Sequence, residues 1–167
     1  MSVDEYLKKF SRLNTDKSRQ RWSAATCHRA PHKPFLMLSI MDLITQGFRR
    51  AIVSLYDHRC ALCGIRMRMP EGHTVVEAAH IVPWSESHDD LPSNGLCLCR
   101  LCHWSFDEGL IGVGSKYEVL VSQRVRIDSN IPGHIFTLAD RPIFKPDAER
   151  YWPGQENLGV HRKQWFP

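Results

Sequence analysis

The sequence predicts an α+β domain, and three observations lead there. At 167 residues the chain has room for one ordinary domain, or for a small domain with an appended arm. Hydrophobic residues make up 43% of it and charged residues 24%, with five Trp and seven Phe, so there is apolar material for a core and wholesale disorder is excluded. Segments of helical period alternate with short runs of strand character, and five of the six cysteines crowd into two places, 60–63 and 97–102.

Taken in order, residues 3–22 place Tyr6, Leu7, Phe10 and Leu13 at helical spacing among many charges, which predicts a short amphipathic helix. Pro34 stands before the apolar run Phe35 to Ile44, and Gly47 follows it. A helix with proline in its first turn and glycine at its end is the expectation. A second helix is expected over Phe48 to Tyr56, with Ile52, Leu55 and Tyr56 on one side and Arg49 and Arg50 at its start. Thr74 to Ile81 reads as a short strand ended by Pro83, followed by a polar loop rich in Ser, His and Asp up to Asn94 and Gly95. Leu96 to Leu98 reads as a second strand, and Cys102 to Gly109 as a helix stopped by glycine. Tyr117 to Ser122 and Ile135 to Leu138 alternate like strands, and Asn157 to Trp165 closes the chain as a helix. These elements divide into an N-terminal helical arm, 1–47, and a domain 48–167 with its centre at about 57–113 and a small β-containing extension over 114–167.

Cys60-Ala-Leu-Cys63 and Cys99-Arg-Leu-Cys102 are two Cys-x-x-Cys knuckles. Thiolates at that spacing turn toward one ion, and four of them form the closed tetrahedral shell of structural zinc. A redox dithiol or a group of unliganded buried thiols are the competing accounts, but a redox pair normally occurs once and in a thioredoxin-like setting. A closed four-sulfur site leaves no open position for chemistry. Cys97 would point to the same side of an extended chain as Cys99 and is read as a bystander, and Cys27 as a small core hydrophobe. The N-terminus lacks an apolar signal region and no run approaches the roughly 18 apolar residues of a membrane span. A cytoplasmic protein with reduced thiols and no membrane association is the expectation.

Between and just after the knuckles lie the strings Glu77-Ala-Ala-His80-Ile, Ser93-Asn94-Gly95-Leu96 and His103-Trp-Ser-Phe-Asp107. Here the sequence resembles the HNH nucleases, and over Phe48 to Phe166 the bacterial HNH proteins of the restriction endonuclease group. The resemblance implies a ββα-metal core: a two-stranded ribbon, a loop and a helix around a catalytic ion, with the four-cysteine structural zinc beside it. It implies metal-dependent hydrolysis of phosphodiester bonds in DNA, in double-stranded form. His80 would be the general base, since an imidazole with an ordinary pKa near 6.5 suits deprotonation of water at neutral pH. Asn94 would hold the loop so that His80 points correctly. His103 and Asp107, four apart on a helix, share one face and would hold a divalent ion such as Mg2+, Mn2+ or another first-row metal. Many members place Asp or His immediately before the base; here that position is Ala79. Glu77, of the same strand parity, is the candidate to supply the missing ligand, against a salt bridge or a loop hydrogen bond.

The formal net charge of +4 permits a polyanionic partner without demanding one. Arg49, Arg50, Arg66, Arg68 and Arg100 are candidate phosphate contacts, which supply affinity without sequence information, against a solvated basic face. The string Ala30-Pro31-His32-Lys33-Pro34-Phe35-Leu36-Met37-Leu38 resembles the opening of the sulfur-binding domains of some restriction nucleases, but only the opening, so the arm is read as packing or homodimerisation structure, with recognition of phosphorothioate-modified DNA as the alternative. Two other functions remain open at this level. One is a zinc-stabilised DNA-binding module whose nuclease site has decayed; the other is a nuclease for RNA or branched substrates.

Overall fold

A computed structural model of the chain describes residues 46–125 and 134–166. The expected helices over 3–22 and 35–44, Cys27 and the Ala30 to Leu38 string lie outside the described residues. The chain divides into two compact units, Met1–Gln46 and Gly47–Pro167, and nearly all that follows belongs to the second.

Residues 46–55 form helix α1. Gly47 is itself helical, where the sequence suggested a helix end. What decides the matter is packing one turn later. Phe48, Ile52 and Tyr56, spaced i, i+4, i+8, are all buried, while Arg49 and Arg50 between them are exposed. The helix is closed by two successive residues of positive φ, Asp57 and His58, with the His58 amide donating to the Val53 carbonyl at 2.9 Å. That reversal delivers the chain directly into the first knuckle.

Strands β1 (Val76–His80) and β2 (Gly95–Cys99) pair antiparallel, with Val76 opposite Cys99 and His80 opposite Gly95. β2 is buried at every residue, as its unbroken apolar run requires. Gly95 is needed where α1 crosses the ribbon, because a Cβ there would clash with the side chain of Ile52. The loop between the strands carries one turn of helix, α2 (Trp84–Ser87), and a 3-10 turn, Pro92–Asn94. β2 runs without a linker into α3 (Arg100–Asp107), which presents Cys102, Ser105 and Phe106 to the core. Past α3, Gly109 adopts φ 64°, so the glycine ends the helix as its sequence position suggested.

A second two-stranded sheet, β3 (Ile111–Val113) with β4 (Val119–Val121), and helix α4 (Gln155–Trp165) complete the described core. The alternation in Ile135 to Leu138 does not make a strand; Phe136–Leu138 is a 3-10 turn. The outer side of β4 is already occupied, since Val119 donates to Arg141 O at 2.8 Å and Asp140 donates to Val119 O at 2.9 Å. Instead, Thr137 bonds back to His134 O through both its amide and its hydroxyl. Helix α4 packs by Leu158 and His161, and the imidazole lies flat on Phe106 with ring centroids 3.7 Å apart. Gly154 N and Asn157 Nδ2 both donate to Ser93 O, at 2.8 and 3.2 Å, so the C-terminal extension braces the residue next to Asn94. Among the described residues no helix is long and apolar enough to cross a membrane.

Candidate metal centre and active site

The two knuckles meet because α1 ends beside β2. Ala61 N donates to Cys97 O at 2.7 Å, while Gly64 N folds back onto Cys60 O at 3.0 Å. One ligand atom from each of Cys60, Cys63, Cys99 and Cys102 lies within 4.8 Å of all the others. A tetrahedron with zinc–sulfur bonds of about 2.3 Å has sulfur–sulfur edges of about 3.8 Å. The Sγ atoms of Cys63 and Cys99 are 3.8 Å apart, far beyond a disulfide and at the length of that edge. Hydrogen bonding from Cys102, then from Cys63, lowers the Cys60 thiol to about 7. Thiols that share protons this closely are a donor set for a soft cation, so the four residues fit zinc. Cys97 stays outside the group, and its burial, above all, pushes it up to about 12, which keeps it a neutral thiol in the core.

His80 ends β1 and is partly buried. Its ring stacks on Phe48 of α1, with centroids 4.0 Å apart and planes 8° from parallel, and Nε2 donates to Asp90 Oδ1 at 2.9 Å. Asn94 is fully buried. Its Oδ1 accepts from Val82 N at 2.9 Å. Its Nδ2 donates to Val82 O, Ser87 Oγ and Asp89 O at 3.0, 3.2 and 3.0 Å. One amide thus ties the exit of β1 to the middle of the loop. A buried amide left unmatched costs on the order of 1–3 kcal/mol, so these bonds specify the loop path.

On α3, His103 faces β1. Its Nδ1 donates to Glu77 Oε1 at 2.9 Å, and Asp107 Oδ2 lies 3.5 Å from Nε2 across one helical turn. Glu77 thus makes a salt bridge to His103, the alternative its sequence position left open, while Ala79, of the same strand parity, is buried in the core. The imidazole has a carboxylate at each ring nitrogen. Burial raises the Asp107 carboxyl above its ordinary value, and the His103 ring opposes that shift. With Nδ1 donating to Glu77, the lone pair of a neutral ring stands at Nε2, on the side of the Asp107 carboxylate.

All five candidate arginines are exposed. Arg66 is already paired with Asp57 at 2.7 Å, and Arg68 lies on the short hairpin that pairs it with Thr74. Arg100 opens α3 beside the second knuckle. Two contacts escaped the sequence. Asp90 sits in an aperiodic polar loop with nothing to distinguish it from Asp89, and Phe48 reads only as a helix residue until the fold lays it against His80.

Residues 60–114 match the family model described as HNH endonuclease. No curated protein matches the chain. Among solved structures the fold is similar to that of a modification dependent TagI restriction endonuclease, with a TM-score of 0.53 and 23% identity over 72% of this chain. The chain spans 38% of the length of that protein, and at this identity the likeness is one of fold. The ribbon that ends in His80, the buried Asn94 and the α3 histidine all fall inside the matched segment, so the similarity to HNH endonucleases covers the whole of the candidate site.

Proposed function

We propose that the protein is a metal-dependent, restriction-type endonuclease that hydrolyses phosphodiester bonds of double-stranded DNA, with His80 as the general base. The observation that carries this reading is the combination, within the family segment, of a strand-end imidazole, a buried loop asparagine and a helix imidazole flanked by carboxylates. His80 takes a proton from water as the water oxygen attacks phosphorus. Asn94 keeps the loop, and so the approach to His80, in one conformation. His103 Nε2 and Asp107 would hold a divalent ion, which when bound offsets charge on the phosphate and on the leaving oxygen. Glu77, on the opposite ring nitrogen, holds the His103 ring in orientation in the manner of carboxylate–histidine pairs at metal sites. The four-cysteine site would hold zinc and support the fold only, because its shell is complete.

The 2.9 Å contact of Glu77 with Nδ1 favours a second arrangement, with the ion on that side and Asp107 as the support. Glu77→Gln keeps an oxygen that can accept from Nδ1, so under the first arrangement it changes the metal requirement little, while Asp107→Asn raises it. The reverse order selects the second. The reading as a whole is tested by incubating duplex DNA, RNA and branched DNA with the purified protein and Mg2+ or Mn2+. Cutting of duplex DNA is expected, and its loss in His80→Ala. DNA binding without cutting under every metal would identify a binding module instead.

A further inference from the structure

His80 is held by more than its strand. Phe48 lies parallel to the ring and sets its plane, but a stacked ring still has two edge-on orientations, related by a half-turn about the Cβ–Cγ bond. The Asp90 contact at 2.9 Å distinguishes them, because only one orientation brings Nε2 to the carboxylate. An imidazole whose Nε2 carries the proton keeps its lone pair on Nδ1. Asp90 is in turn positioned from both sides by one residue. Asn94 Nδ2 donates to the carbonyl of Asp89 at 3.0 Å, and Asn94 N donates to the carbonyl of Leu91 at 2.9 Å. The Leu91 amide also donates to Asp89 Oδ1 at 2.8 Å, which closes the turn. The backbone flanking Asp90 is thus fixed by the same asparagine that fixes the exit of β1.

We propose that Asp90 is the positioning carboxylate of His80, selecting the tautomer and ring orientation that leave Nδ1 as the nitrogen that takes the proton from water. This rests on the reading of His80 as general base. Asn94 then acts on the base by two routes, through Val82 just past the end of its strand and through Asp90 on its ring. The side chains of His80 and Asp90 are 24% and 30% exposed, so the pair is open to water along one edge and removal of the carboxylate leaves no cavity in the core.

The test combines two measurements on the full chain loaded with zinc. Long-range proton–nitrogen correlation spectra report which ring nitrogen is protonated, with the His80 signals assigned by their loss in His80→Gln. At a pH where the ring is neutral, the wild type is expected to show Nε2 protonated. Asp90→Ala should move both nitrogens toward values averaged over the two tautomers, while Asp90→Asn, which retains an acceptor oxygen, should stay near the wild type. Under single-turnover conditions with saturating duplex DNA, Asp90→Ala should cut about ten- to a hundredfold more slowly, with DNA affinity and zinc content unchanged. Unmoved ring nitrogens in Asp90→Ala, or a wild-type cleavage rate, would overturn the proposal. If the tautomer moves as expected but His80→Ala still cuts at full speed, the Asp90–His80 pair stands and the role of His80 as base falls.

Discussion

Under the proposed function, removal of a single imidazole should separate chemistry from folding. His80 is only partly buried and among the described residues its ring forms one hydrogen bond, so His80→Ala is expected to lower cleavage by about a hundredfold to ten-thousandfold, the usual loss for a general base. Zinc content and melting temperature should stay near wild type; a variant that cuts normally would make His80 an ordinary strand-end residue. His103 and Asp107 belong to a different test. Mild chelation should abolish cleavage while zinc stays bound by four sulfurs, and added Mg2+ or Mn2+ should restore it. His103→Ala should raise the metal concentration for half-maximal rate, read from initial rates across a metal titration. An unchanged requirement would place the ion elsewhere. At this scale the residue types were legible and their pairings were not. His80, Asn94 and His103 could be named from their strings, whereas Asp90 is one of two adjacent aspartates in a loop without periodicity, and only the closed turn decides which of them faces the ring.

Two elements depend on partners distant in sequence. The knuckles lie on separate segments joined through one centre, so Cys60→Ser with Cys63→Ser should release zinc and lower thermal stability markedly, measured by elemental analysis and a thermal melt. Retained stability without the metal would show that the surrounding apolar core suffices. Helix α4 depends on His161, whose Nε2 donates to Phe106 O at 2.9 Å while its ring is buried against Phe106. Burial, more than any other influence, lowers its pKa from the ordinary 6.5. A histidine depressed in the folded state binds its proton more readily when unfolded. Its contribution is therefore complete above pH 6.5 and is lost as the pH falls from there toward the depressed folded value. Stability of the wild type should decline over that interval. His161→Gln should be less stable at pH 7.5 but lose less on acidification, by urea melts at several pH values. Equal slopes for the two proteins would remove His161 as the cause. The knuckles and α4 were both legible in sequence, but that α4 bonds Ser93 beside Asn94 was not, since the two are far apart along the chain.

For the whole molecule, a positive formal charge and exposed arginines predict DNA affinity dominated by phosphates. The logarithm of the binding constant should fall linearly with the logarithm of salt concentration, by about 0.9 for each phosphate neutralised. Arg68→Ala and Arg100→Ala should each reduce that slope, and Arg66→Ala less, because Asp57 already shares its charge. Affinity that does not vary with salt would remove the basic surface from the account. By itself, the sequence determined the parts carried by local spacing: the two knuckles, the paired strands with their buried run, the helix stopped at Gly109 and the likeness of residues 60–114 to HNH endonucleases. Such features depend on chain geometry over a few residues, and every copy of the pattern has the same reach. The tertiary structure alone decided what depends on competition for partners. Gly47 is helical because Phe48 and Ile52 have a core to enter, Ile135 to Leu138 forms no strand because the outer side of β4 is taken, and Glu77 and Asp90 acquire their partners from segments that the fold brings alongside them.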